Sequence, residues 1–162
     1  MLNDPEYASK EEWDTYAWFG FAIQEAQAIE RILLLIAVAL KIREESSSSH
    51  EDRWFSLYDK YGRLTLGKLL CHIRKHQHLP EDLAHDLAKA VKARNDLAHA
   101  FFWPKDLEND ERTENAAQTE LIAAASLFSN LYPRLEAIMW PLLDILELDR
   151  RVAEDQVAIL LN

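Results

Sequence analysis

Arg94, Asn95 and His99 fall within six residues of one another in the stretch from Lys92 to Phe102, KARNDLAHAFF. An imidazole titrating near neutral pH can give or take a proton, and so can act as general acid or base. A guanidinium is a permanent cation whose fork of donors fits phosphate or carboxylate oxygens. An amide carries donors and acceptors and can orient either neighbour. On a helix, Leu83, Leu87, Ala90, Leu97, Ala98 and Phe101 make an apolar stripe. Arg94 falls inside that stripe, four residues after Ala90 and seven before Phe101. A guanidinium on a core-facing stripe is costly unless it is paired or lies in a cleft. Asn95 and His99, four apart, share the adjoining face, with Lys92 and Phe102 beside them. Arg94 and His99 are about 140° apart around the helix, so only the length of the arginine lets the two converge.

A partner for Arg94 is legible upstream. Gly20, Ile23, Gln27, Glu30, Leu34 and Ala37 fall on one stripe of the first helix, with Gln27 and Glu30 as its polar intruders. Glu30 is expected to pair with Arg94, and Gln27 to help bond the cluster. The alternative places Glu30 in solvent at the stripe's edge.

The elements that must hold these residues are helices. The first is expected from Glu6 to about Glu44, rich in Ala, Leu, Ile, Glu and Gln and ended by Ser46–Ser49. A short helix over Glu51–Lys60 stops before Gly62, and Thr65 is placed to cap the next. There Leu66, Leu69, Leu70 and Ile73 repeat at the spacing of a buried helical stripe. Pro80, Glu81 and Asp82 suit a helix start, and that helix is expected to run to Trp103, before Pro104. A charged loop follows, with Thr113 as a cap candidate. A long helical region from Glu114 to Leu148 is expected to kink or split at Pro133 and Pro141. A last short helix is expected within Val152–Leu161. The expectation is an all-α, up-and-down bundle of four main helices plus short extra ones, with residues 1–162 as one domain.

Composition agrees. At 49% hydrophobic and with 3 Gly and 5 Pro, the chain can bury a core and is poor in turn formers. The lone Cys71 excludes an internal disulfide framework and suits a reducing cytoplasm. The N-terminus, MLNDPEY, does not read as a secretory signal. The apolar run Ile32–Leu40 is too short for a bilayer and reads as a buried helix segment, so no membrane partner is expected. The net charge of −10 argues against broad coating of nucleic acid. From Arg53 to Arg94, however, nine Lys and Arg face four Asp and Glu, compatible with a polyanion site confined to one face.

Arg94, Asn95 and His99 in this setting resemble the HEPN superfamily. Its signature is an arginine, four to six residues and a histidine, usually with a polar residue after the arginine, on a late helix of a small all-α domain. Arg43 and His50 also satisfy the spacing, but they bracket the serine run, which offers no rigid frame. The segments GFAIQEAQAIERILLLIA and LTLGKLL are also similar to bacterial members, so the resemblance covers most of Tyr16–Phe102. It implies a metal-independent endoribonuclease acting as a homodimer, with the motifs of both subunits in one cleft. Such proteins serve as toxins of toxin–antitoxin pairs or in phage defence, while other members only bind. The catalytic residues it implies are Arg94 and His99, assisted by Asn95, with Glu30 and Gln27 in support. Lys92, Phe102 and Trp103 would contact RNA. The implied partners are a second copy, RNA and an antitoxin or other protein, in the cytoplasm.

Other signals are weaker. His72 and His76 have a spacing that can hold zinc, but Cys71 points elsewhere and no HExxH pattern exists, so no metal and no cofactor is assigned. Cys71 is expected to be part-buried. The five tryptophans are read as core and dimer packing, with Trp103 and Phe102 the exceptions because they follow the motif directly. A homodimer is also suggested by helices that look too apolar for one bundle.

Overall fold

The computed structural model describes residues 9–45, 50–102 and 111–146. These form five α-helices and, among the described residues, no strand: α1 (Lys10–Glu45), α2 (His50–Tyr61), α3 (Leu66–His76), α4 (Glu81–His99) and α5 (Glu111–Ile145). The sequence suggests four main helices with short extras; the structure has two long helices, α1 and α5, and three shorter ones.

The helix ends follow from local chemistry. The Ser9 hydroxyl accepts the Glu12 backbone N–H at 3.1 Å, and the Glu12 carboxylate accepts the Ser9 N–H in return. This reciprocal cap starts α1 at Lys10, and the expected start at Glu6 lies outside the described residues. Thr65 caps α3 as expected, accepting the Lys68 N–H. α5 begins at Glu111, two residues before Thr113. Pro133 and Pro141 do not split α5. Both lie on its exposed side, where the backbone acceptors they leave unpaired can meet water, while Leu121, Phe128, Leu131 and Leu135 pack its other side.

Successive helices alternate in direction. α2 runs back along α1, with Arg53 on Glu45 and Gly62 beside Leu34. α3 and α4 are antiparallel, since Arg74 reaches the Ala84 carbonyl while Gly67 lies against Val91. α5 is parallel to α1: Gln118 meets Glu11 and Thr15, and Ser129 meets Glu25. α1 packs against all four other helices. All nine residues from Ile32 to Leu40 are buried, because neighbours surround this half of α1 and leave it no polar face.

α4 ends at His99, short of Trp103. The Ala100 N–H still bonds to the Asp96 carbonyl, but the backbone has left the helix at Ala100. Phe101 then turns into the core and packs on Phe19 with ring centroids 5.5 Å apart. Of the expected α4 stripe, Leu83, Leu87, Ala90, Leu97 and Phe101 are buried, whereas Ala98 is exposed. Trp103, Pro104 and the proposed helix within Val152–Leu161 lie outside the described residues.

Candidate functional site

The stripe of α1 that carries Glu30 passes from solvent into the core. Gly20 and Gln27 are exposed, Ile23 and Glu30 are half-buried, and Leu34 and Ala37 are buried. Glu30 therefore sits where the open half of α1 meets its enclosed half. The antiparallel α4 brings Arg94 to that level, and the Arg94 Nε–H donates to Glu30 Oε1. The two side chains retain 29% and 27% of their exposure, so the pair lies at the margin of the core, where a charge keeps contact with water but needs its partner. Gln27 is exposed and forms no hydrogen bond with either residue among the described residues.

Asn95 and His99 point to solvent on the outer side of α4. His99 lines an open depression of about 410 Å³ together with Phe19, Leu97, Ala98, Ala100, Phe101 and Phe102. Arg94 is not among its walls. Within one chain, the arginine is thus engaged on the α1 side while the histidine opens onto a largely apolar hollow at the end of α4. The hollow exists because α4 stops at His99 and the two phenylalanines fold back over Phe19.

Phe102 packs on Phe19 and on Tyr16, with centroids 4.8 and 5.8 Å away, and Tyr16 in turn meets Trp13. Trp13, Tyr16 and Phe102 are 49%, 44% and 38% exposed, so a connected row of aromatic rings reaches solvent beside His99. Sequence reasoning assigns Trp13 to packing and gives Tyr16 no role. A signal was present: they share a helical face with the polar Gln24 and Gln27 rather than with a continuous apolar stripe. Of the other tryptophans, Trp54 is buried and Trp18 and Trp140 are half-buried. Lys92 is exposed and pairs with Asp96 at 3.0 Å, one turn along α4.

A second polar group lies where α1, α2 and α3 meet. The rings of His72 and His76 are 4.6 Å apart, and the Tyr61 hydroxyl is 3.5 Å from His72 Nε2. Burial first, then the charge of His76 and that of Lys41, hold His72 below the usual histidine range. Cys71 is exposed rather than part-buried, since its position on α3 faces away from the Leu66, Leu69, Leu70 and Ile73 stripe. Among the described residues, no group of three or more His, Cys, Asp or Glu is arranged to hold a metal ion. No helix among them is long and apolar enough to cross a membrane.

Comparison with protein-family models, with curated proteins and with solved structures found no match for this chain.

Proposed function

We propose that this chain is a metal-independent endoribonuclease of the HEPN type, acting as a cytoplasmic homodimer in a toxin–antitoxin or phage-defence system. The observation that carries the reading is the division of labour at the end of α4: Arg94 is held against Glu30, while His99 stays exposed beside an open hollow. Cutting RNA through its own 2′-hydroxyl needs one proton removed and one supplied. The 2′-oxygen bonds to phosphorus as its proton passes to a base, and the 5′-oxygen leaves as it takes a proton from an acid. The products are a 2′,3′-cyclic phosphate and a 5′-hydroxyl. With a His99 from each subunit at one cleft, one can accept the first proton and the other donate the second. Arg94 would balance the charge that builds on the phosphoryl oxygens. Glu30 sets where that guanidinium starts from, and Asn95 orients His99 or bonds a phosphate oxygen. Lys92, Phe102 and Trp103 would contact the strand.

The second reading is a non-catalytic helical module of the same type that binds a protein partner or a nucleotide. It draws on a specific observation: the His99 hollow is walled mainly by apolar side chains, and Arg94 is absent from it. One experiment separates the two. The purified protein is incubated in EDTA with mixed-sequence RNA beside Arg94→Ala and His99→Ala. Cleavage leaving 2′,3′-cyclic phosphate ends, lost in both folded variants, is the result expected of the enzyme. A folded wild-type protein that leaves RNA of varied sequence and structure intact turns the reading to the binding module.

A further inference from the structure

The charge on this molecule is distributed in a way that the whole-chain total hides. The chain carries a net charge of −10, yet α3 contains no acidic residue and bears Lys68, Arg74 and Lys75, all exposed. Lys68 and Lys75 are seven apart, so they stand on one outward face of α3, two turns from each other. Neither has an acidic partner among the described residues, and Arg74 reaches only the Ala84 carbonyl across the seam to α4.

The acids of the neighbouring α4 are mostly taken up. Asp82 and Asp86 both hold Arg134 of α5, Asp86 also meets Lys89, and Asp96 meets Lys92. The remaining acid on α4, Glu81, sits in the first turn, three residues before Ala84, and so at the Lys75 end of the row and far from His99. Along its solvent side, α4 presents His85, Ala88, Lys92, Asn95 and His99 at successive turns. Because α3 and α4 are antiparallel, with Gly67 against Val91 and Arg74 at Ala84, the two α3 lysines flank the row that ends at His99. Lys92 stands on the same row, its charge shared with Asp96 in a pair whose side chains are 82% and 50% exposed.

We infer that the acid-free outer face of α3, centred on Lys68 and Lys75, is a binding track for the RNA backbone that leads along α4 to His99. The inference rests on the ribonuclease reading for the end of the track, but not for the track itself. From the level of Ala84 to His99 the row spans about 22 Å at the helical rise, room for several nucleotides of a single strand. Its contacts are phosphate contacts, so it sets affinity and salt dependence without reading sequence. It also explains how a strongly acidic chain can take a polyanion: the acids of α1 nearest α3, Glu44 and Glu45, are held by Lys41 and Arg53, and those of α4 are largely neutralised within the fold.

The test uses the full chain carrying His99→Ala, so that RNA is not consumed, and a fluorescein-labelled mixed-sequence single-stranded RNA. Anisotropy is read from 50 to 200 mM NaCl. Lys68→Gln with Lys75→Gln should weaken binding about tenfold and lower the salt slope by about 1.4, near 0.7 for each phosphate of a single strand that is no longer neutralised. Lys10→Glu, on α1, makes the same change in total charge and should leave both quantities within twofold of the parent. Equal binding by the lysine pair variant and the parent overturns the track. In a parallel arm, the two lysine changes are placed in the chain with His99 intact. Cleavage with no dependence of binding or rate on the lysines keeps the enzyme and removes the track. Lysine-dependent binding without cleavage keeps the track and removes the enzyme. No RNA binding by the parent overturns the track as well, and an acidic protein segment becomes the polyanion that this face would fit.

Discussion

The two halves of α1 both carry large apolar side chains, and those side chains meet opposite fates. From Ile32 to Leu40 every side chain is buried, with α2, α3 and α5 packed around the helix. From Lys10 to Gln27 only one side is covered, and Trp13, Tyr16 and Phe21 remain more than two-fifths exposed. Apolarity in sequence therefore does not by itself call for a second chain. The run that looked too apolar for one bundle is satisfied by its own bundle. The case for a homodimer moves to the other half, where large rings face water beside His99 and burying them elsewhere would be favourable. Glu30, which holds Arg94, marks the border between the two regimes.

The sharpest break of this contrast is a truncation in each half. Leu33→Ala or Ile36→Ala, both 1% exposed in the wild type, should cost about 2–5 kcal/mol, the range for emptying a packed core site. Tyr16→Ala should cost the isolated chain no more than about 0.5 kcal/mol, as for an exposed position. Urea unfolding checks both, and equal losses would erase the distinction. If the open half is the dimer face, Trp13→Ser with Tyr16→Ser should convert a species of about 38 kDa, twice the chain mass of 18.8 kDa, into one of about 19 kDa by light scattering. A wild type already at the lower mass refutes the dimer.

At the border itself, a double-mutant cycle over Glu30→Gln and Arg94→Gln should give a coupling of about 1 kcal/mol, since the pair is hydrogen-bonded but retains water contact. Coupling near zero would reduce it to a surface contact. The smallest effect concerns the enclosed end. His72 lies below the usual histidine range chiefly through burial, so the folded state favours its neutral form. Above the unfolded pKa of about 6.5 this costs nothing. As pH falls through that value the unfolded chain binds the proton first, and stability declines. Melting temperature should therefore drop between pH 7.5 and 5.5, and less in His72→Gln. An unchanged drop in the variant assigns the effect to other groups.

Much of the site was legible because its signals are local. Arg94 announced itself as a charge on an apolar stripe, and the same period of 3.6 residues placed Glu30 on a stripe of α1 as its candidate partner. Gln27 carries the same polar signal but lies one turn further toward solvent, and periodicity cannot tell where along a stripe the neighbouring helices stop. The hollow beside His99 was not legible either. It depends on α4 ending four residues before the expected Trp103, so that Phe101 leaves the helix and packs on Phe19.

By itself the sequence determined the all-α class, the stripe and cap of α3 and the buried character of Ile32–Leu40. Each follows from periodicity and capping, which act over a turn or two of chain. Only the tertiary structure decided that α1 is the central helix, that Arg94 is paired with Glu30, that Trp13 and Tyr16 face water, and that His99 opens onto a hollow that Arg94 does not line. Those outcomes depend on which helices become neighbours and in what direction, and that is settled by the summed burial of the whole bundle rather than by any one segment.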